Sequence, residues 1–81
     1  MTLQIVTPEK TLFHGDVDSV TLPGISGLFT VLQNHAPMIS SLRLHGVVTY
    51  MLGEKRETLT IGGGFVEVLK NRITVCTENQ T

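Results

Sequence analysis

The chain has 81 residues, of which 41% are hydrophobic and 16% charged, with a formal net charge of -1. That length gives one domain with a modest core, and the composition is too apolar and too weakly charged for a disordered chain. With no basic run longer than Lys55-Arg56, the chain lacks the electrostatic footprint that grips a phosphate backbone, which excludes nucleic acid as the expected partner.

Short bursts of Val, Ile, Thr and Leu, broken by Gly, Pro, Asn and charged residues, set the rhythm of strands joined by tight turns. Residues 3–7 form the first expected strand, ended by Pro8, and 11–14 a short second one closed by Gly15 and Asp16. A third covers 17–22 and stops at Pro23-Gly24; a fourth covers 28–32, before Gln33-Asn34-His35-Ala36-Pro37 interrupts it. Residues 38–42 fit either a strand or a single helical turn. Strands over 46–52 and 57–61 flank a turn at 53–56, and strands over 65–69 and 73–77 flank Lys70-Asn71-Arg72. In the last run Ile73, Val75 and Thr77 alternate with Thr74, Cys76 and Glu78, so one face enters a core. Nine or so strands in so short a chain predict an all-β fold, a small sandwich or flattened barrel.

The lone Cys76 has no partner for an internal disulfide, which suits a reducing, cytosolic setting. No basic leader opens the chain, and no apolar run approaches the ~20 residues that span a bilayer. Chemistry-bearing patterns are weak. Gly62-Gly63-Gly64 lacks a following Gly-Lys-Ser/Thr and a helix, so it reads as a bulge or strand connection, not a phosphate loop. His14, His35 and His45 match no zinc spacing, and Cys76 sits in a strand with no activating neighbour in sequence. Asp16 with Asp18, and Glu54 with Glu57, flank turns where acids keep a surface wet. No catalytic group, metal or cofactor is expected. Lys70, at a hairpin turn of a small β domain, occupies the kind of position that biotinyl and lipoyl carriers modify. Its neighbours, Val68-Leu69 and Asn71-Arg72, differ from those that flank the carrier lysine.

Two segments together carry a family likeness. One is residues 20–37, Val-Thr-Leu-Pro-Gly-Ile-Ser-Gly-Leu-Phe-Thr-Val-Leu-Gln-Asn-His-Ala-Pro; the other is 59–68, Leu-Thr-Ile-Gly-Gly-Gly-Phe-Val-Glu-Val, continuing to Ile73-Thr74-Val75. With the opening Leu3-Gln4-Ile5-Val6-Thr7-Pro8-Glu9 and the pair Phe13 and Gly15, the chain resembles the N-terminal domain of F-type ATP synthase epsilon subunits over nearly its whole length. The resemblance implies a flattened β-sandwich of two roughly five-stranded antiparallel sheets. It further implies a non-catalytic rotor subunit of the central stalk that binds the gamma subunit and the c-ring, peripheral to the cytoplasmic face of the membrane.

Carried over by position, Gly27 and Leu28 are expected in one loop that approaches the ring, and Asn34, His35, Ala36 and Pro37 in a second. Leu28 stands where some members have an acid, which favours an apolar or backbone contact. Pro37 stiffens its loop and biases Ala36 toward extended backbone, while His35 serves either as a contact or as a brace for its own loop. The gamma-binding face is expected to be a largely apolar patch in an interface above about 1,000 Å². Family members commonly continue into a helical hairpin that inhibits hydrolysis or binds ATP; neither activity is expected of residues 1–81.

Overall fold

Period-two alternation decides which side of each strand is buried. On β7 (Arg72–Thr77), Ile73, Val75 and Thr77 are buried while Thr74 and Cys76 are only half-buried. On β1 (Thr2–Val6), Leu3 and Ile5 are buried and their neighbours are not. The computed structural model describes residues 1–78, so the expected end of the domain at 79–81 lies outside the described residues. Between those two strands run β2 (Thr11–Asp16), β3 (Ser19–Gly24), β4 (Gly27–Val31), β5 (Met38–Leu52) and β6 (Lys55–Leu69).

Seven strands replace the expected nine because two pairs are continuous. Residues 38–42, strand and not helical turn, join 46–52 in β5, and residues 57–61 join 65–69 in β6. At roughly 3.3 Å per residue a straight 15-residue strand would span about 46 Å. The molecule's longest extent is 31 Å, so both strands must bend. β5 bends where its register with β6 breaks between Leu44 and Val47, with His45 at φ 60. β6 bends where Gly63 and Gly64 take φ 85 and 119. The first is a bulge, which lets a strand turn a corner without leaving its ladder; the second is a glycine kink at which the register with β5 and β7 is kept.

Hydrogen bonding links the strands in the order β2-β1-β7-β6-β5-β3-β4. The two bends fold this sheet onto itself. One layer holds β2, β1, β7, the second half of β6 and the first half of β5; the other holds β4, β3 and the remaining halves. Five strand segments thus face four, close to the expected two layers of five. The closure is visible at Phe13 on β2 and Tyr50 on β5, whose ring centroids lie 4.4 Å apart. In a flat sheet, four strand spacings would separate those strands by about 19 Å. A single core unites Leu3, Ile5, Ile73 and Val75 of the first layer with Val20, Leu22, Val31 and Val48 of the second.

One pairing departs from the all-antiparallel expectation: β1 and β7 run parallel, Leu3 opposite Ile73 and Ile5 opposite Val75. A parallel pair needs a long crossover, and here all of β2 to β6 supplies it. The turns are also tighter than expected. Leu52 pairs with Lys55, leaving Gly53-Glu54 as a two-residue loop with φ 65 at Gly53, the type II′ pattern. Lys70 and Asn71 take φ 50 and 60, which is type I′.

Tyr50 is only 7% exposed. Burial, and then the carboxylate of Glu57 across the strand, raise its phenol above the usual value of 10.0. The folded state therefore holds that proton more tightly than the unfolded chain, and the phenol's contribution is complete below about pH 10 and lost as pH climbs past it. Urea midpoints measured through this range should fall for the native sequence and fall less for Tyr50→Phe. Equal slopes would clear the phenol of responsibility.

Candidate functional site

Gly27 and Leu28 open β4 at the tip of the β3–β4 hairpin, where Gly24 pairs with Gly27 and Pro23 with Leu28. Leu28 is 70% exposed. The tip is fastened to β5, since Ile25 N donates to Ser41 O at 3.2 Å. Register places other features at this end: Val6 lies beside Cys76, Cys76 beside Phe65, and Phe65 beside Ser41. The β1–β2 turn, the β3–β4 tip and the two strand bends therefore form one end of the block.

Asn34, His35, Ala36 and Pro37 belong to the β4–β5 connection, at the opposite end. Asn34, at φ 62, donates its main-chain N–H to Asn71 Oδ1 at 2.6 Å, and Asn71 Nδ2 donates back to Asn34 Oδ1 at 2.9 Å. Asn71 also accepts Thr2 N–H through its carbonyl at 3.0 Å, so one hairpin residue ties together the β4–β5 loop and β1. His35 Nδ1 donates to Ala36 O at 2.7 Å, and its main-chain N–H donates to Leu32 O at 3.2 Å. The histidine thus braces its own loop and leaves Nε2 for a partner, while Ala36 and Pro37 are exposed. Asn34 to Pro37 act as one stiff loop. Gly27 and Leu28 do not join them, because about 10 Å of extended β4 and then the loop intervene.

Other singled-out residues have structural work or stand apart. Asp18 Oδ2 accepts Gly53 N–H at 2.7 Å, Asp16 Oδ1 accepts the Thr2 hydroxyl at 3.3 Å, and Glu57 pairs with Lys55 at 3.5 Å. His14 and His45 are exposed, on β2 and at the β5 bulge, and His35 is half-buried at the far end. Among the described residues no three His, Cys, Asp or Glu side chains gather as a metal would require. Lys70 is exposed at its hairpin, and Cys76 is half-buried beside Phe65.

Two outward faces remain. On the first layer Phe65 and Leu69 of β6 are 47% and 44% exposed, and Ile39 of β5, opposite Glu67, is 71% exposed. Val6 and Cys76 continue this apolar stripe across β1 and β7. On the second layer Thr30, Thr21, Thr49 and Thr58 align across β4, β3, β5 and β6, with Thr21 and Thr30 hydroxyls 2.9 Å apart. Sequence reading missed the stripe, the threonine row and Asn71. Alternation shows which residues face outward, but not which outward residues meet across strands.

The matched family model, ATP synthase, Delta/Epsilon chain, beta-sandwich domain, covers residues 1–81. Relatives named ATP synthase epsilon chain include one from Leptospira borgpetersenii serovar Hardjo-bovis, 38% identical over 98% of this chain and 61% of its own length. Another, from Chlorobaculum tepidum, is 43% identical over 95% of this chain and 88% of its own length. The chain thus spans about three fifths of the Leptospira relatives. A chain of the Euglena gracilis mitochondrial ATP synthase (OSCP/F1/c-ring, rotational state 1) has the same fold, with TM-score 0.87 at 20% identity over 95% of this chain and 49% of that one. So has one from the Tetrahymena thermophila mitochondrial ATP synthase central stalk and c-ring, with TM-score 0.80 at 14% identity over 96% and 63%. No helix among the described residues is long and apolar enough to cross a membrane. A match across every residue, on a sandwich with the expected hairpins, makes this chain a member of the ATP synthase delta/epsilon family, of which it forms the β-sandwich domain.

Proposed function

We propose that the chain is a rotor subunit of the central stalk of a membrane ATP synthase, held by the gamma subunit and resting on the c-ring, so that it turns with both and couples ion flow to ATP synthesis. It performs no reaction itself and is peripheral to the membrane through the complex. One observation carries the reading: a braced β block presents three exposed apolar side chains, Ile39, Phe65 and Leu69, grouped around Glu67 on a single outward face. Exposed apolar side chains gathered on one face, with a single carboxylate among them, suit a protein interface. A stable contact of about 1,000 Å² in total takes roughly 500 Å² from this partner, about a tenth of its 4941 Å² surface.

The six residues expected at the ring divide between the two ends. Gly27 and Leu28, at the exposed tip, meet the ring through an apolar and backbone contact. Asn34, His35, Ala36 and Pro37 lead into Ile39, which makes this loop an extension of the gamma-binding face. Stiffness matters at both contacts, because a braced loop has little ordering entropy left to lose. Co-purification with gamma at ~1 M salt, where screening is nearly complete, tests the reading. The complex should survive; dissociation under those conditions would exclude an apolar grip.

A further inference from the structure

The β5 bulge turns three consecutive residues, Arg43, Leu44 and His45, toward solvent, breaking the alternation on either side. Bulges re-aim side chains in this way. Arg43 and His45 then line one open groove with Leu28, Arg56, Thr49 and Thr58, and no acidic residue lines it. Neither arginine has a hydrogen-bond or ion-pair partner among the described residues, where the one ion pair joins Lys55 and Glu57. Two free guanidinium groups thus stand over a floor of threonine hydroxyls, beside an uncharged Leu28 at the mouth.

We propose that this groove receives a carboxylate-bearing loop of the c-ring and so selects which ring the chain accepts. The proposal rests on the ring-facing placement of the Leu28 tip. Guanidinium presents a planar fork that matches a carboxylate in two parallel hydrogen bonds, and threonine hydroxyls can complete the carboxylate's remaining acceptor sites. A lipid surface fits less well, because polybasic lipid-binding patches gather about four to eight Lys or Arg. A free phosphate also fits less well, because among the described residues no helix N-terminus opens on the groove to cradle it. Charge complementarity of this kind sets specificity and association rate more than affinity.

The test has two parts, both on the chain assembled with its gamma subunit. A Leu28→Cys variant, crosslinked to cysteines placed in the ring loops, reports the placement. Arg43→Glu with Arg56→Glu, titrated against the purified ring, reports the groove, with thermal unfolding confirming that the exposed substitutions leave the fold intact. The expected result is crosslinking, together with about a tenfold weaker ring association at low salt that vanishes when charges are screened. Reversing the ring's acidic loop residue to lysine should restore the double variant. Crosslinking with unchanged ring association would overturn the groove and keep the placement; no crosslink would overturn both. Arginine-dependent binding to anionic vesicles without any to the ring, or a ring loop devoid of Asp and Glu, would also overturn the groove.

Discussion

Gly64→Ala should remove a large share of the stability of this domain. A Cβ at position 64 would fall on the carbonyl oxygen of Cys76, which is backbone and cannot step aside without breaking the β6–β7 ladder. The position also takes φ 119, which residues with a Cβ rarely adopt. Steric overlap and backbone strain act together, so the cost should reach about 4 kcal/mol, against the roughly 5–15 kcal/mol that holds a small domain folded. Gly53→Ala supplies the contrast: its φ of 65 is left-handed, but nothing lies near the added methyl, and about 1 kcal/mol is expected. Urea unfolding of the two variants checks both figures. A Gly64→Ala protein as stable as Gly53→Ala would mean that β6 can turn its corner without glycine.

The second large effect is on assembly. Ile39→Asp combined with Phe65→Asp should weaken binding to gamma by at least about a hundredfold. Each burial is worth roughly 1.5–3 kcal/mol and each 1.4 kcal/mol is a factor of ten, before the cost of desolvating two new carboxylates is added. Both side chains are exposed in the isolated domain, so its unfolding midpoint should move little. Calorimetric titration against gamma, with the unfolding midpoint as control, separates the two effects. Unchanged affinity in a folded double variant would place the gamma contact on another face.

The residues on the inner faces were legible because alternation is local: Ile73, Val75 and Thr77 could be assigned to the core from their own strand alone. The long strands were not legible. Glycines at 62–64, which read as either a bulge or a strand connection, and the break around His45 interrupt the apolar pattern in sequence, whereas the first is a kink and the second a bulge inside a continuous strand. The parallel pairing of β1 with β7 leaves no local mark either, since both strands alternate identically whichever direction their partner runs. For the candidate contacts, the resemblance supplied Gly27, Leu28 and residues 34–37 by position. It could not supply their separation, which follows from β4 lying between them. Asn71 shows the limit from the other side: an ordinary turn residue by type, it holds the β4–β5 loop through bonds that only the folded chain creates.

The place of β1 between β2 and β7 governs how the domain is made. A ribosome delivers β1 and β2 first, and they can pair at once as a hairpin. The flank of β1 that awaits β7 stays open until residues 72–77 have been translated, leaving Leu3 and Ile5 without their cover. Completion of the first layer is therefore tied to the emergence of β7. Until then the nascent chain carries an unpaired edge that another chain can capture.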